Sequence, residues 1–268
     1  MSRVAGTHEV LGALLLRDLR VARRELPWFL LRVGLQPVML TIVFGFLLPK
    51  MGFMGRGTGP VMSDYTTALL PGILALSITL SSIQSVALPL VQDFGFTKEI
   101  EDRLLAPVET WVVALEKIVM GVLQGIVSAL FVLPAAWLIM GDVPGVTLAN
   151  VGSSLVVILL GAGAFSALGL WLGTAISAQQ VGLMFSAIVA PMIMFGCTYY
   201  PWRGLDVLPV MKYAVLINPL VYVAEGLRGT LTPSVPHMPL AVAMLMLVAF
   251  IAVFLMAGLR TFHRRAIG

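Results

Sequence analysis

Charged residues are scarce in this chain, and their scarcity indicates its class. Asp, Glu, Lys and Arg make up 11% of the 268 residues, whereas an ordinary soluble domain has about 25%. Hydrophobic residues make up 59%, and the mean hydropathy is +0.99. Most of such a chain is needed for membrane spans of roughly 20 residues each. The sequence therefore predicts an integral membrane protein.

Cysteine and histidine are almost missing. The single cysteine, Cys197, excludes an internal disulfide and a cysteine-based metal cluster. The three histidines, His8, His237 and His263, lie outside the predicted spans, which argues against a serine–histidine protease or a histidine-ligated metal site in the bilayer. No GxSxG, HExxH or GxxxxGK[ST] motif is present. We expect no catalytic, cofactor-binding or metal site, and a membrane enzyme is the least favoured class.

Six apolar segments predict an all-α integral membrane fold with six transmembrane helices. They cover approximately residues 28–48, 65–91, 111–140, 148–176, 181–198 and 240–259. The domain division expected is a cytoplasmic amphipathic interface helix over residues 1–27 and a six-span transmembrane domain over residues 28–268. Gly121 with Gly125, and Gly169 with Gly173, are small-xxx-small pairs that permit close helix approach.

The N-terminal segment 8–26 alternates charge and apolarity at helical spacing. Leucines and an alanine form one stripe, and Arg17, Arg20 and Arg24 form another, as in a helix that lies in the membrane interface. Pro27 is expected to end this helix, and Arg32 lies near the start of the first span, where it can snorkel. The basic face could contact a partner, or it could only fix the orientation of the chain.

Polar side chains in the second span allow two interpretations. They are Ser77, Thr79, Ser81, Ser82, Gln84 and Ser85. They could line a path through the membrane, but Ser and Thr in such helices more often bond their own backbone or a neighbouring helix, which we favour. The Met- and Phe-rich fifth span likewise could contact apolar cargo or simply pack.

Residues 199–239, named here the hairpin region, are too polar and proline-rich to span, yet too apolar for a simple loop. Segments 205–216 and 220–231 each predict a short helix, so a re-entrant or interfacial helical hairpin is expected before the last span. Asn218 is expected to cap the second helix with Pro219 in its first turn. Glu225 can pair with Arg228 one turn later.

The basic residues predict the orientation. Twelve of them lie at the N-terminus, in the stretch Asp93–Lys117 and at the C-terminus, whereas the opposite side carries five: Lys50, Arg56, Arg203, Lys212 and Arg228. By the positive-inside rule both termini and the charged stretch are cytoplasmic, which an even number of spans permits. The same rule explains the formal net charge of +4, and nucleic acid is not expected as a partner.

The stretch Asp93–Lys117 is the only dense block of charge inside the apolar sequence. It must lie in water, because each ionised side chain in hydrocarbon costs roughly 2.5 kcal/mol or more. The acidic residues fall in loops or near span ends, Glu116 and Glu225 being the nearest exceptions, so a proton- or sodium-coupled carrier has little support. Because the chain has no phosphate-binding loop, an ATPase that binds this stretch is the natural energy source.

Two stretches resemble the membrane subunits of type 2 ATP-binding cassette (ABC) exporters, of the drug, lipid or polysaccharide export kind. The first, FGFTKEIEDRLLAPVETWVVALEKIVMG at Phe94–Gly121, resembles their cytoplasmic loop before the third span. The second, GCTYYPWRGLDVLPVMKYAVLINPLVYVAEGLRG at Gly196–Gly229, resembles their region between the fifth and sixth spans. The order of the motifs, the span number and the length agree along essentially the whole chain.

The resemblance implies that residues 92–117 form a cytoplasmic coupling loop that sits in a groove of the ATPase and transmits its closure. Glu99, Glu101, Asp102 and Arg103 would make polar contacts there, and Phe94, Phe96, Leu104 and Leu105 would pack. The alternative is a solvated surface helix. The resemblance also implies that the hairpin region is an outer gate, with Tyr199, Tyr200, Trp202, Asn218, Glu225 and Arg228 as its candidate residues. The aromatic residues there could contact cargo or anchor at the interface, which is favoured.

The partners that the resemblance implies are two ABC-type ATPase subunits, a second copy of the chain and membrane lipid. ATP and Mg would be bound by the ATPase subunits, in a bacterial plasma (inner) membrane. The leading hypothesis is thus the transmembrane subunit of an ATP-driven exporter of an amphipathic drug, lipid or lipid-linked glycan. The alternatives are an ATPase-independent secondary carrier or channel, and a membrane scaffold that transports nothing.

Overall fold

The computed structural model describes residues 7–51, 60–97, 110–140 and 149–267. Within these ranges the chain forms helices and turns and no β-strand. The helices are α1 Thr7–Leu40, α2 Pro60–Gln92, α3 Thr110–Met140, α4 Val151–Ala175, α5 Ala178–Met194, α6 Pro209–Ile217, α7 Pro219–Leu231 and α8 Leu240–Ile267. π-Helical turns extend α1 over Thr41–Leu47 and α2 over Asp93–Thr97, another lies within α5 at Phe185–Val189, and a 3₁₀ helix covers Trp202–Val207.

Five helices, α1 to α4 and α8, are long and apolar enough to cross a membrane. The pair α6 and α7 is bent by 102° at Asn218 and would count as a sixth span only if it were one broken helix. The predicted all-α integral membrane fold is confirmed. The sharp bend fits the helical hairpin expected before the last span.

Helix α5 is shorter than the span expected at 181–198, but it links the two ends of the helix bundle. Near its start, a Cβ atom on Gly95 would lie 2.7 Å from the Cβ of Ala178. Just after its end, the backbone carbonyl of Thr198 contacts Gly72 in the first half of α2. Because Gly95 lies just beyond the end of α2 and Gly72 lies in its first half, α5 runs along most of the length of α2.

Helix α1 corrects the prediction that Pro27 ends an N-terminal helix. The helix runs without interruption through Pro27 and Pro37. A proline removes one backbone hydrogen bond, but neighbouring helices and local adjustments let membrane helices accommodate it. The contacts of α1 with α3 supply that neighbour. Whether residues 1–27 lie along the membrane interface is not tested and stays a prediction.

Helix α2 forms the centre of the bundle and packs against α3, α4 and α7. Glycines on its neighbours allow close approach: a Cβ atom at Gly121 would lie 2.5 Å from Cγ2 of Val86, and one at Gly169 would lie 3.0 Å from the Ile83 carbonyl. The small-residue pairs of the sequence thus lie at helix contacts, as predicted.

Three buried serines of α2, Ser77, Ser81 and Ser85, bond to protein groups. The Ser81 hydroxyl donates to the Ser77 carbonyl at 2.9 Å, the Ser85 hydroxyl donates to the Ser81 carbonyl, and Ser77 bonds the Ser128 hydroxyl of α3. These bonds favour the structural interpretation of the three serines over a polar path.

Charged side chains meet at one end of the bundle, named here the charged end. Lys117 of α3 approaches Asp18 of α1 with 3.4 Å between Nζ and Oδ2. Arg265 of α8 lies over the Phe94 ring, 4.9 Å from its centroid, and bonds the Ile176 carbonyl after α4. The hairpin region lies at the opposite end, because Arg228 bonds the carbonyl of Ala68 near the start of α2.

Candidate functional site

The bend between α6 and α7 is held by Asn218. Its side-chain oxygen accepts a hydrogen bond from the Leu220 backbone N–H at 3.0 Å, which is the helix cap that the sequence predicts. Its side-chain nitrogen donates to the Met192 carbonyl in α5 at 2.6 Å. Asn218 therefore fixes the hairpin both to its own second helix and to α5.

Glu225 and Arg228 of α7 form an ion pair at 0% solvent exposure of either side chain. The pairing one helical turn apart is the one that the sequence predicts. The sequence does not predict the complete burial of both side chains, because the hairpin region contains many polar residues. A buried ion pair persists only if further hydrogen bonds satisfy both groups.

Glu225 receives those further bonds from two backbone N–H groups. Trp202 donates to Oε1 at 2.9 Å, and Met238 donates to Oε2 at 2.8 Å. The two donors lie before α6 and after α7, at the two ends of the hairpin region. Glu225 therefore ties both ends of this region to the helix between them.

Arg228 bonds backbone carbonyls of two other segments. Nε and Nη2 donate to the Ala68 carbonyl of α2 at 3.2 and 3.1 Å, and Nη2 donates to the Cys197 carbonyl at 3.0 Å. Cys197 has φ 53°, the left-handed conformation that is unfavourable for a residue with a Cβ atom. The guanidinium fork thus joins α7, α2 and the turn after α5.

Trp202 adds a second set of contacts at the rim of the hairpin region. Its indole N–H donates to the Lys212 carbonyl at 3.0 Å, and the Lys212 ammonium lies 4.5 Å from the indole centroid. Lys212 also pairs with Asp206 at 2.6 Å. These contacts give Trp202 a structural role, and a direct role in a gate stays a prediction.

The two tyrosines of the predicted gate pack against the apolar core. The centroids of the Tyr199 and Phe44 rings are 5.4 Å apart. This contact joins the turn after α5 to the π-helical turn Thr41–Leu47 that extends α1. Tyr200 is half-buried beside Tyr199. Neither position presents a fully exposed aromatic ring, and cargo contact stays untested.

The three arginines predicted for the interface helix, Arg17, Arg20 and Arg24, lie exposed on α1. Arg17 also bonds Asp18 at 3.2 Å, and Asp18 in turn approaches Lys117. Side chains far apart in the chain thus hold α1 against α3, and no sequence pattern marks this pair. Arg20 and Arg24 make no ion pair among the described residues and are available to lipid or a partner.

Of the eight predicted coupling residues, Phe94 is the one for which the structure gives side-chain contacts. Its ring meets Phe262 of α8 edge to face, with 5.6 Å between centroids. Arg265 covers the same ring and donates to the carbonyls of Thr174 and Ile176, both at 2.9 Å. A cation at these carbonyls is favourable, since the C-terminus of α4 carries partial negative charge.

Phe96 lies within the π-helical turn Asp93–Thr97, and its side chain is outside the described part of the chain. The other predicted coupling residues, Glu99, Glu101, Asp102, Arg103, Leu104 and Leu105, lie outside the described residues. Their contact with an ATPase is therefore still a prediction from the sequence. The structure adds the location of the first part of the loop, at the charged end next to α8 and the end of α4.

Comparison with known proteins identifies the family. No curated protein matches the chain at a significant level. The family model described as ABC-2 type transporter matches residues 9–232, which is well over half of the chain. The matched range contains the predicted coupling loop, the buried ion pair and helices α6 and α7. The chain therefore belongs to the ABC-2 type transporter family and is a membrane permease subunit of an ABC transporter.

Proposed function

We propose that this permease is the transmembrane subunit of an ATP-driven exporter that moves an amphipathic substrate out of the cytoplasm or the inner leaflet. The substrate class is a drug, a lipid or a lipid-linked glycan. Two copies of the chain assemble with two ATPase subunits, which bind and hydrolyse ATP with Mg. Both termini and the charged end face the cytoplasm of a bacterial plasma membrane, as the distribution of Lys and Arg supports.

The observation that best supports the proposal is the packing of the Phe94 side chain. This residue opens the coupling loop and packs on Phe262, beneath an arginine that is bonded to the end of α4. A displacement of the loop would therefore reach α8 directly and the end of α4 through Arg265. Packed interiors transmit such displacements because they are nearly incompressible.

The same two helices reach the hairpin region. Helix α7 packs against α2, α4 and α8, and its buried ion pair holds the turn after α5. Movement of α4 and α8 under the ATPase thus shifts α7 and the hairpin together. On this mechanism ATP binding opens the exit and hydrolysis resets it.

Charge reversal in the coupling loop tests the proposal. In the complex with its ATPase subunits, Glu101→Arg with Arg103→Glu is expected to abolish substrate-stimulated ATP hydrolysis while membrane insertion stays normal. Arg203→Glu, a matched reversal at an exposed position in the hairpin region, is the control. Unchanged stimulation in the double variant would contradict the assignment of the coupling loop.

Two further measurements separate the alternatives. Substrate accumulation against a gradient by the purified chain alone in vesicles would indicate a secondary carrier. Absence of any substrate-stimulated ATP hydrolysis in the complete wild-type complex would indicate a scaffold.

A further inference from the structure

Two adjoining cavities lie between α1 and α3, towards the charged end. The larger, about 750 Å³, is mostly apolar and includes Leu26, Trp28 and Leu123 in its lining. The smaller, about 380 Å³, also borders α2 and is mostly polar. The two share a wall formed by Ala22, Glu25, Arg32, Met120 and Gln124. The site therefore has two adjacent compartments, one apolar and one polar.

The polar compartment carries balanced charge. Its cations are Arg17, Arg32 and Lys117, its acids are Asp18, Glu25 and Asp93, and glutamines 84, 92 and 124 complete it. A compartment with three groups of each sign does not favour a purely anionic or purely cationic ligand. Its charge is complementary to a headgroup that carries both signs.

Arg32 and Glu25 are the two charged residues of the shared wall. Among the described residues neither makes an ion pair or a side-chain hydrogen bond, whereas Asp18 is already engaged by Arg17 and Lys117. They are two helical turns apart, about 10 Å along the axis, and so are not placed to pair as i, i+4 neighbours. An arginine within an apolar span is costly unless an anion or water reaches it.

We propose that this site binds one zwitterionic phospholipid from the leaflet at the charged end. Its ammonium would lie at Glu25, nearer the charged end, and its phosphate at Arg32. An acyl chain would extend from there into the apolar cavity along Leu35 and Val127. The assignment rests on the proposed function, since it places the amphipathic substrate class at a defined entry site on a single chain.

Lipid binding to the purified full-length chain tests the proposal. Native mass spectrometry in detergent compares phosphatidylethanolamine, phosphatidylglycerol and diacylglycerol with identical acyl chains. We expect one phosphatidylethanolamine per chain, bound about tenfold more tightly than the other two, because only its headgroup satisfies both wall residues. Arg32→Gln and Glu25→Gln should each remove most of this preference, and Arg20→Gln, outside both cavities, should keep it. Equal binding of the three lipids, or unaltered preference in both wall variants, would overturn the site.

A second copy of the chain is the competing occupant of the larger, apolar cavity. In a Cys197→Ala background, Leu123→Cys should remain free of cross-links between chains, and efficient cross-linking there would overturn the lipid assignment.

Because the lipid-binding and cross-linking assays need no ATPase subunit, loss of lipid preference with intact ATPase coupling would refute this inference alone. Intact lipid preference without coupling would refute only the proposed function.

Discussion

The guanidinium of Arg228 and the carboxylate of Glu225 pair at the hairpin end, where neither side chain is reached by solvent. Between them they bind the backbone of four separate segments, at Ala68, Cys197, Trp202 and Met238. One pair therefore fixes α2, the turn after α5 and both ends of the hairpin region. Any motion of the hairpin must carry this cluster as a unit or break it.

Removal of one member of the pair should destabilise the protein strongly. Arg228→Gln leaves the Glu225 charge buried without its partner, which costs about 3–5 kcal/mol. We expect a markedly lower thermal unfolding temperature in detergent. Glu225→Gln together with Arg228→Gln should lose less than the sum of the single variants, because no isolated charge remains.

The control for this series is Arg203→Gln, which alters an exposed arginine in the same region. Its unfolding temperature should match that of the wild type. If Arg228→Gln unfolded at the same temperature as this control, the pair would not be the structural centre of the hairpin.

The accessibility of the Cys197 thiol should report on the integrity of this cluster. Cys197 has 0% exposed surface, and its backbone carbonyl accepts a hydrogen bond from Arg228. N-ethylmaleimide can therefore reach the thiol only when the cluster opens. The rate of labelling in the native protein at pH 8 should be very low.

The unfolded chain supplies the comparison. There the thiol has a pKa of about 8.5, so labelling should be fast and level off above about pH 9.5. Arg228→Gln, if it opens the cluster, should shift labelling towards this profile. Fast labelling of the native wild type at pH 7 would contradict the burial of Cys197.

Hydropathy predicted most of the fold, because a span needs only length and apolarity, and both are visible in the sequence. The pair of Glu225 and Arg228 was also predictable, since residues three apart share a helix face. The same local logic located the cap at Asn218. Predictions from residue type and spacing thus succeeded where the interaction is local.

Contacts between distant segments were not predictable. The acceptors of Arg228 are backbone carbonyls of Ala68 and Cys197, and a carbonyl belongs to every residue, so no residue type marks it. Asp18 and Lys117 meet only because α1 packs on α3. Pro27 misled the assignment of α1, because the cost of a proline within a helix depends on tertiary and membrane surroundings that the sequence does not display.

A single methyl group at Gly72 should disturb the hairpin end. A Cβ atom there would overlap the backbone carbonyl of Thr198, which cannot move as a flexible side chain would. Gly72→Ala should therefore displace the turn after α5 and cost about 1–3 kcal/mol or more. We expect the unfolding temperature to fall and the rate of Cys197 labelling to rise.

Gly152→Ala is the matched control, since a Cβ atom at Gly152 in the first turn of α4 has no neighbour within 4 Å. An alanine within a helix is favourable by up to about 1 kcal/mol relative to glycine. This variant should be neutral or slightly stabilised. Identical behaviour of the two variants would mean that the turn is not packed on α2 as described.

Phe94→Ala should weaken the transmission of ATPase closure to the spans. The substitution removes the aromatic contact with Phe262 and the surface on which Arg265 lies, but it leaves the bonds of Arg265 to the end of α4. Such a loss costs about 1–3 kcal/mol locally, so the bundle should still fold. In the complex with the ATPase subunits, we expect basal ATP hydrolysis to persist while substrate stimulation and transport fall together by about tenfold.

The choice of control decides how that result is interpreted. Leu138→Ala removes an apolar side chain that is 81% exposed near the end of α3, remote from the coupling loop, and it should leave stimulation unchanged. Phe94→Leu keeps an apolar side chain of similar volume against Phe262 and should restore most of the coupling. Full stimulation in Phe94→Ala would contradict this path. Equal loss in Phe94→Leu and Phe94→Ala would mean that the aromatic ring, and with it the contact of Arg265, is what the ATPase displaces.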